Sequence, residues 1–204
     1  TNPYIQHDPR VRDYLQGILA LSAEDASRIQ PEYYRRYGTT LRGPMEEHGI
    51  MPDDFLEYVH DIDHSPIEAD PALAAAISRL PGRKFILTNG SRRHAEKVAE
   101  RLCFTDQFED IFDIVASDFA PKPAMAALRR FVHHYGVQPA GALMVEDMAK
   151  NLVPAAALGM TTAWVKTGVD WAAAAPDADH INYVIDDLAG FLAAAAELEQ
   201  QARG

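Results

Sequence analysis

The chain has 204 residues, 48% of them hydrophobic and 24% charged, which is the composition of one compact globular domain or of one domain carrying a smaller insertion. A disordered or fibrous chain is excluded. Its 19 basic and 30 acidic residues give a net charge of −11, and the basic residues are not gathered together, so nucleic acid and anionic membrane surfaces would be repelled. A single cysteine, Cys103, excludes an internal disulfide and a multi-thiolate metal site and fits a reducing compartment. It is expected as a small buried apolar residue on the helix that starts at Arg92. No apolar run approaches the roughly 20 residues that span a bilayer, and the start TNPYIQHDPR has neither the basic end nor the apolar stretch of a signal peptide. A cytoplasmic protein is expected, with no membrane partner.

In chain order, the patterns before Lys84 are helical. Val11 to Leu21, Ala23 to Tyr37, Thr40 to His48 and Asp53 to Asp61 place apolar or aromatic residues three and four apart, with breaks at Gly38, Gly49 and Pro52. Ser22 followed by Asp25, and the Asp70-Pro71 pair, are the expected helix starts. The character changes at Pro81-Gly82. From there KFILTN is followed by the helical RRHAEKVAERL, FDIVAS by PAMAALRRFVHHY, and ALMVED by a helix ending near Leu158-Gly159. TTAWV comes next, and NYVIDDL opens a last, alanine-rich helix. Short apolar runs without alternation, each followed by a helix, are the pattern of parallel strands buried on both faces. The expected fold is α/β, a doubly wound, Rossmann-like parallel sheet over residues 79 to 204 carrying a helical cap over residues 5 to 78. The alanine tracts at 172 to 175 and 193 to 196 read as ordinary helix.

In such sheets ligands sit outside the carboxyl ends of the strands, so Thr88-Asn89, Ser117-Asp118 and Glu146-Asp147 are expected to converge. In Leu87-Thr88-Asn89-Gly90-Ser91, backbone N–H groups at a helix start can hold a phosphate to which the Thr88 hydroxyl donates. A plain strand-to-helix turn capped by Ser91 is the alternative. Lys122 stands between Pro121 and Pro123, whose restricted backbone suits an ammonium aimed into a site, although a solvated surface lysine has the same composition. Met144-Val145-Glu146-Asp147 ends an apolar strand in two carboxylates, with Asn151 one helical turn later. Adjacent carboxylates repel one another and attract a hard cation such as Mg²⁺, unless they form only a solvated acidic loop. Hydroxyl, ammonium and metal-binding carboxylates together are the equipment of phosphoryl transfer.

LTNGS, PKPAMAAL and VEDMAKNL resemble, in order and context, the last three motifs of the haloacid-dehalogenase-like hydrolases, most of which are Mg²⁺-dependent phosphatases. YYRRYGTTLR at 33 to 42, YVHDID at 58 to 63, LTNGSRRHAE, FEDIFDIVASD at 108 to 118 and VEDMAKNLVPAAALGMTTAWV resemble the pyrimidine 5′-nucleotidase branch over nearly the whole chain. The resemblance implies Mg²⁺ at Glu146 and Asp147 with Asn151 behind them, a phosphoryl group held by Thr88, Asn89, Gly90 and Lys122, and a small phosphate ester as ligand. It implies a nucleoside monophosphate, a pyrimidine one, whose leaving group is chosen by the cap. Thr39, Thr40 and Arg42 are the expected cap contacts, because Gly38 breaks the helix beside them.

The family's first motif, an Asp-x-Asp nucleophile closing the first strand, is not matched; Asp61-Ile62-Asp63 lies in the helical half and follows a helix. By the resemblance, the nucleophile strand belongs upstream of Tyr4 and in the middle of the sheet, between the strands ending at Thr88 and Asp147. The natural protein is therefore expected to be longer. The 204-residue chain is expected to be inactive alone, to bind Mg²⁺ weakly, and to show either a slot at that place in the sheet or a strand from another source in it. The alternatives are a non-catalytic phosphate-binding or regulatory protein and a general small-molecule phosphatase.

Other readings are weaker. The histidines have no metal-binding spacing; His133 and His134 face different ways on one helix, and His60, Asp61, Asp63 and His64 look more like a solvated helix end than a metal site. Tyr33, Tyr34 and Tyr37 with Arg35 and Arg36 could clamp a base and phosphate, but packing between cap helices suits at least two of the tyrosines better. The first lysine is Lys84, beyond the cap, which argues against Schiff-base phosphonate hydrolysis; a dehalogenase would leave Glu146-Asp147 unexplained.

Overall fold

The structure, a computed structural model, describes residues 4–168 and 178–203. The alanine tract at 172 to 175 lies outside the described residues. Five helices come first: α1 (Tyr4–Leu19), α2 (Ala23–Tyr37), α3 (Arg42–His48), α4 (Pro52–His60) and α5 (Pro71–Arg79). Their ends follow local chemistry. Ser22 Oγ accepts the Asp25 N–H at the start of α2, and Asp70 Oδ1 accepts the Leu73 N–H at the start of α5, whose first position is Pro71. Gly38 and Gly49 close α2 and α3 with φ of 83° and 64°, the left-handed conformation that glycine adopts without strain. Helix α1 begins ahead of Val11, with Pro9 inside it.

Val11, Leu15, Ala26, Tyr33, Phe55, Leu56 and Val59 bury one apolar core among α1, α2 and α4, and Ile114 from the second half of the chain joins it. Helix α5 has a different partner. Its Ala76 and Ile77 share a core with Ala99, Phe104 and Leu192, so α5 packs on the last helix, α9 (Leu188–Arg203).

The second half alternates strands with helices. The strands are β1 (Phe85–Leu87), β2 (Asp110–Phe112), β3 (Leu143–Glu146), β4 (Thr161–Val165) and β5 (Tyr183–Ile185); the helices between them are α6 (Arg92–Arg101), α7 (Met125–Tyr135) and α8 (Val153–Ala157). Every pairing among the described strands is parallel. Among the described residues the strands form two sheets, β1-β2 and β3-β4-β5, with no hydrogen-bonded ladder joining them. Lys84 O accepts from the Glu109 N–H just before β2 and Thr88 N donates to Phe112 O in it, so Ile86 between them faces β2 as well, and Phe85 and Leu87 turn their backbone groups away from it. Likewise Ala142 O bonds to Thr161 N, which leaves Leu143 and Val145 facing away from β4.

Three expectations are corrected. FDIVAS is not a strand beyond Phe112. Asp113 stops it, because its Oδ2 accepts the Arg92 N–H at 2.9 Å and its Oδ1 the Ala116 N–H at 2.9 Å, and the chain turns through Ser117 to left-handed Asp118 and Phe119. NYVIDDL contributes strand β5 before α9 starts at Leu188. Cys103 is exposed and lies past α6 with φ of 62°. It stands in a Schellman cap, in which Cys103 N donates to Glu100 O at 3.1 Å and Phe104 N to Ala99 O at 2.8 Å, so the buried residue is Phe104.

Candidate active site

Beyond β1 the chain runs Thr88-Asn89-Gly90-Ser91 into α6. The Thr88 N–H still donates to Phe112 O at 3.0 Å, while Thr88 Oγ1 accepts the Gly90 N–H at 3.0 Å, which folds the loop over the strand end. Ser91 Oγ accepts the His94 N–H at 3.3 Å and caps α6. The loop thus lies at the N-terminus of a ten-residue helix, where backbone N–H groups and the helix dipole favour an anion.

Asn89 clamps the backbone of Lys122. Its Oδ1 accepts the Lys122 N–H at 2.7 Å and its Nδ2 donates to Lys122 O at 3.2 Å. The Lys122 ammonium then bridges the two sheets, donating to Leu87 O at 2.9 Å and to Glu146 Oε2 at 2.7 Å. Asn151 Nδ2 donates to Glu146 Oε1 at 2.7 Å. Thr88, Asn89 and Gly90, Lys122, and Glu146 with Asn151, three separate stretches of the sequence, therefore lie along one run of bonded groups. Ser117-Asp118 does not join them at a strand end. Ser117 is buried with its hydroxyl on Ile114 O, and Asp118 pairs with Arg130 at 2.8 Å.

Burial raises the Asp147 carboxyl above the usual carboxylate range, the neighbouring Glu146 raises it further, and Lys122 only partly opposes them. Asn151 Oδ1 is buried without a hydrogen-bond partner among the described residues. This donor set, the Asp147 and Glu146 carboxylates with the Asn151 amide oxygen, fits a hard cation such as Mg²⁺, and the Glu146 oxygens also accept from Lys122 and Asn151.

The helical half meets this region through Gly38, Tyr34 and His60, among other residues. A Cβ on Gly38 would stand 3.0 Å from Pro121 Cγ, so the loop after α2 abuts the lysine segment. Lys150 Nζ donates to the Tyr34 hydroxyl at 2.8 Å. His60 Nδ1 lies 3.1 Å from Ser91 Oγ. The expected cap contacts hold their own loop: Thr39 Oγ1 accepts the Arg42 N–H, Thr40 Oγ1 donates to Gln30 O, and Arg42 pairs with Glu46. Tyr33 is core, while Tyr37 and Arg36 both bind Glu47. Asp61 pairs with Arg10 at 3.4 Å and Asp63 holds Ser65. Sequence reading missed His60 and His94 as neighbours of the Thr88 loop; the two residues are distant in sequence, and only the packing of α4 near α6 joins them.

The sequence model of the haloacid dehalogenase-like hydrolases matches residues 7–159, three quarters of the chain. The chain belongs to that hydrolase family. Solved structures agree in fold. An HAD phosphatase from Thermococcus onnurineus is 19% identical with a TM-score of 0.59, covering 93% of this chain and 88% of its own. An HAD family hydrolase from Deinococcus radiodurans R1, solved with bound phosphate and sodium, is 18% identical with a TM-score of 0.55, covering 94% and 90%. The L-2-haloacid dehalogenase of Xanthobacter autotrophicus, with chloropropionic acid covalently bound, is 16% identical with a TM-score of 0.53, covering 95% and 93%.

Proposed function

We propose that the site serves Mg²⁺-dependent hydrolysis of a phosphate monoester, with a nucleoside 5′-monophosphate, a pyrimidine one, as substrate. The observation that carries this reading is the bonded run from Asn89 through Lys122 to Glu146, which fixes a buried ammonium beside the Thr88 loop. The Thr88 hydroxyl and the loop amides would bind the phosphoryl oxygens, and Lys122 would neutralise charge gathering on them. Asn89 orients Lys122 through its backbone. Mg²⁺, held at Asp147 and Glu146 with Asn151 behind, would supply further neutralisation of the phosphoryl oxygens.

In the net reaction the ester P–O bond breaks, the departing alcohol oxygen takes up a proton, and water provides the oxygen of inorganic phosphate. The attacking carboxylate belongs, by the family resemblance, on a strand between β1 and β3. Residues 5–78 would act as the cap, with Thr39, Thr40 and Arg42 facing the leaving group, although α5 within that span packs on the core. A cytoplasmic setting, a small-molecule partner, and no nucleic-acid or membrane partner complete the reading. Among the described residues no helix is long and apolar enough to cross a membrane.

The test is a phosphate monoester screen with and without Mg²⁺, run on the product of the uninterrupted reading frame and on its Lys122→Ala variant. Preference for uridine and cytidine monophosphate, with turnover lost by orders of magnitude in the variant, is expected. Equal rates on sugar phosphates would leave a general phosphatase, and unchanged turnover in Lys122→Ala would remove Lys122 from the chemistry. Phosphate binding without turnover would favour a regulatory binding protein.

A further inference from the structure

The loop that carries Asp147 is held carbonyl by carbonyl. Three successive peptide oxygens each accept one bond: Asp147 O from the Trp164 indole N–H at 2.8 Å, Met148 O from the Asn151 N–H at 2.9 Å, and Ala149 O from His180 Nε2 at 3.0 Å. A carbonyl can only accept, so the His180 imidazole carries a proton on Nε2. The donors come from three stretches of the chain: β4, the single 3₁₀ turn Ala149–Leu152, and the segment that leads into β5. Strand β4 fastens two of the three. Trp164 pairs in register with Glu146 and so stands beside the strand end from which the loop departs. Two residues back on the same face of β4, the fully buried Thr162 donates its hydroxyl proton to His180 O at 2.7 Å and its N–H to Asn182 Oδ1 at 2.8 Å, which locks the His180 segment to the strand.

The charges explain why such fastening matters. Glu146 and Asp147 are adjacent carboxylates, and repulsion between them favours a loop that turns Asp147 out to water. Asp147 is instead half-buried, and the peptide plane that follows it is set by the Trp164 bond. Asn151, whose N–H fastens Met148 O, brings its buried and unpartnered Oδ1 to the same place while its Nδ2 donates to Glu146 Oε1 at 2.7 Å.

We propose that Trp164 and His180 are positioning residues for the cation site, the indole and imidazole N–H groups setting the peptide planes after Asp147 and Ala149 so that the Asp147 and Glu146 carboxylates and the Asn151 amide oxygen face one ion before it arrives. This rests on the reading of those three residues as the Mg²⁺ site. The Trp164 N–H is then a single peptide group away from a cation ligand, and the indole senses the ion.

The probe is Mg²⁺ alone, titrated calorimetrically into the 204-residue chain, with circular dichroism verifying the fold of each variant. The same titration is followed by nuclear magnetic resonance on protein labelled at the indole nitrogens of its two tryptophans, Trp164 and Trp171; Trp171 lies outside the described residues, and Trp171→Phe identifies the Trp164 signal. That signal should move along the binding isotherm. Trp164→Phe, which keeps an aromatic ring and loses the donor, should lower Mg²⁺ affinity about tenfold, the usual cost of losing a group that orients a metal ligand. His180→Leu should do likewise, whereas His180→Gln, which keeps an amide donor near the Nε2 position, should recover most of that loss. Asp147→Asn tests the underlying site. If the wild type takes up no Mg²⁺, or Asp147→Asn binds it unchanged, the cation reading fails and this proposal with it. If Asp147→Asn loses binding, whichever of Trp164→Phe and His180→Leu still binds like the wild type has no positioning role, and an indole signal that stays in place as Mg²⁺ binds overturns that of Trp164. His180→Gln binding no better than His180→Leu would assign the loss to packing and remove His180 from the proposal.

Discussion

Lys122 and Glu146 form an ion pair at 2.7 Å with side chains only 14% and 9% exposed, and its ammonium also holds the last carbonyl of β1. A pair so enclosed has given up most of its hydration, so its two members depend on one another. Lys122→Met should cost about 3–5 kcal/mol by leaving the Glu146 carboxylate buried against Asn151 alone. Lys122→Met combined with Glu146→Leu should cost less than the two single changes added. Urea unfolding of the four proteins measures the coupling; additive costs would show that the two charges do not stabilise each other.

Acid stability should depend on Asp110. The Tyr135 hydroxyl, at 2.7 Å, together with Arg92 and the Ile111 N–H, holds its carboxyl down to about 2. Because this lies below the value of about 3.9 for an unfolded aspartate, the contribution is complete above that pH and disappears as the pH falls toward 2. Burial and Asp110 push the Tyr135 phenol up to about 12, so it stays neutral throughout that window. Tyr135→Phe should therefore raise the pH at which acid unfolding begins and cost about 1 kcal/mol at neutral pH. An acid midpoint identical to that of the wild type would show that the hydroxyl does not set the Asp110 carboxyl.

Cys103→Gly should stabilise the protein by about 0.5–1 kcal/mol. The residue holds the left-handed position of a helix cap with φ of 62°, is exposed, and contributes its backbone N–H to Glu100 O, a bond that glycine keeps. A rise in the urea midpoint with unchanged slope is the expected result, and a fall would mean that the thiol makes a contact worth more than the strain.

Gly43→Ala should act in the opposite direction. A Cβ at this helical position would overlap the ring of the buried Tyr33, which α3 covers. Overpacking of this kind costs about 1–3 kcal/mol, more than the 0.5–1 kcal/mol that alanine otherwise gains over glycine within a helix. Thermal unfolding of the variant decides which effect dominates.

Where one chemical signal dominated, the chain was readable. KFIL, ALMVE and TTAWV are mainly apolar runs in which no side chain turns the backbone out of the strand, and they became β1, β3 and β4. FDIVAS is equally apolar in outline, yet Asp113 accepts two backbone N–H groups and turns the chain, a bond pattern that periodicity does not register. Thr88, Asn89 and Glu146 could be placed together because each stands at a strand end and parallel strands carry their ends to one side, whereas Lys122 was expected just past a strand that in fact ends well before it, at Phe112. The bonds among them could not be foreseen, nor could the clamp of Asn89 on the Lys122 backbone. His60 and His94 carried no local signal, since neither marks a strand end and their meeting depends on how α4 comes to lie beside α6.

The division of the strands into two sheets gives the backbone amides two different fates in deuterium exchange. On β1, the amides of Ile86 and Thr88 face β2 and should exchange slowly, whereas those of Phe85 and Leu87 face the side where the Lys122 ammonium holds Leu87 O and should exchange fast. On β3 the same alternation separates Met144 and Glu146, turned to β4, from Leu143 and Val145. Slow and fast residues alternate on both borders, so protection appearing at Phe85, Leu87, Leu143 and Val145 together would be the isotopic signature of a segment laid between the sheets.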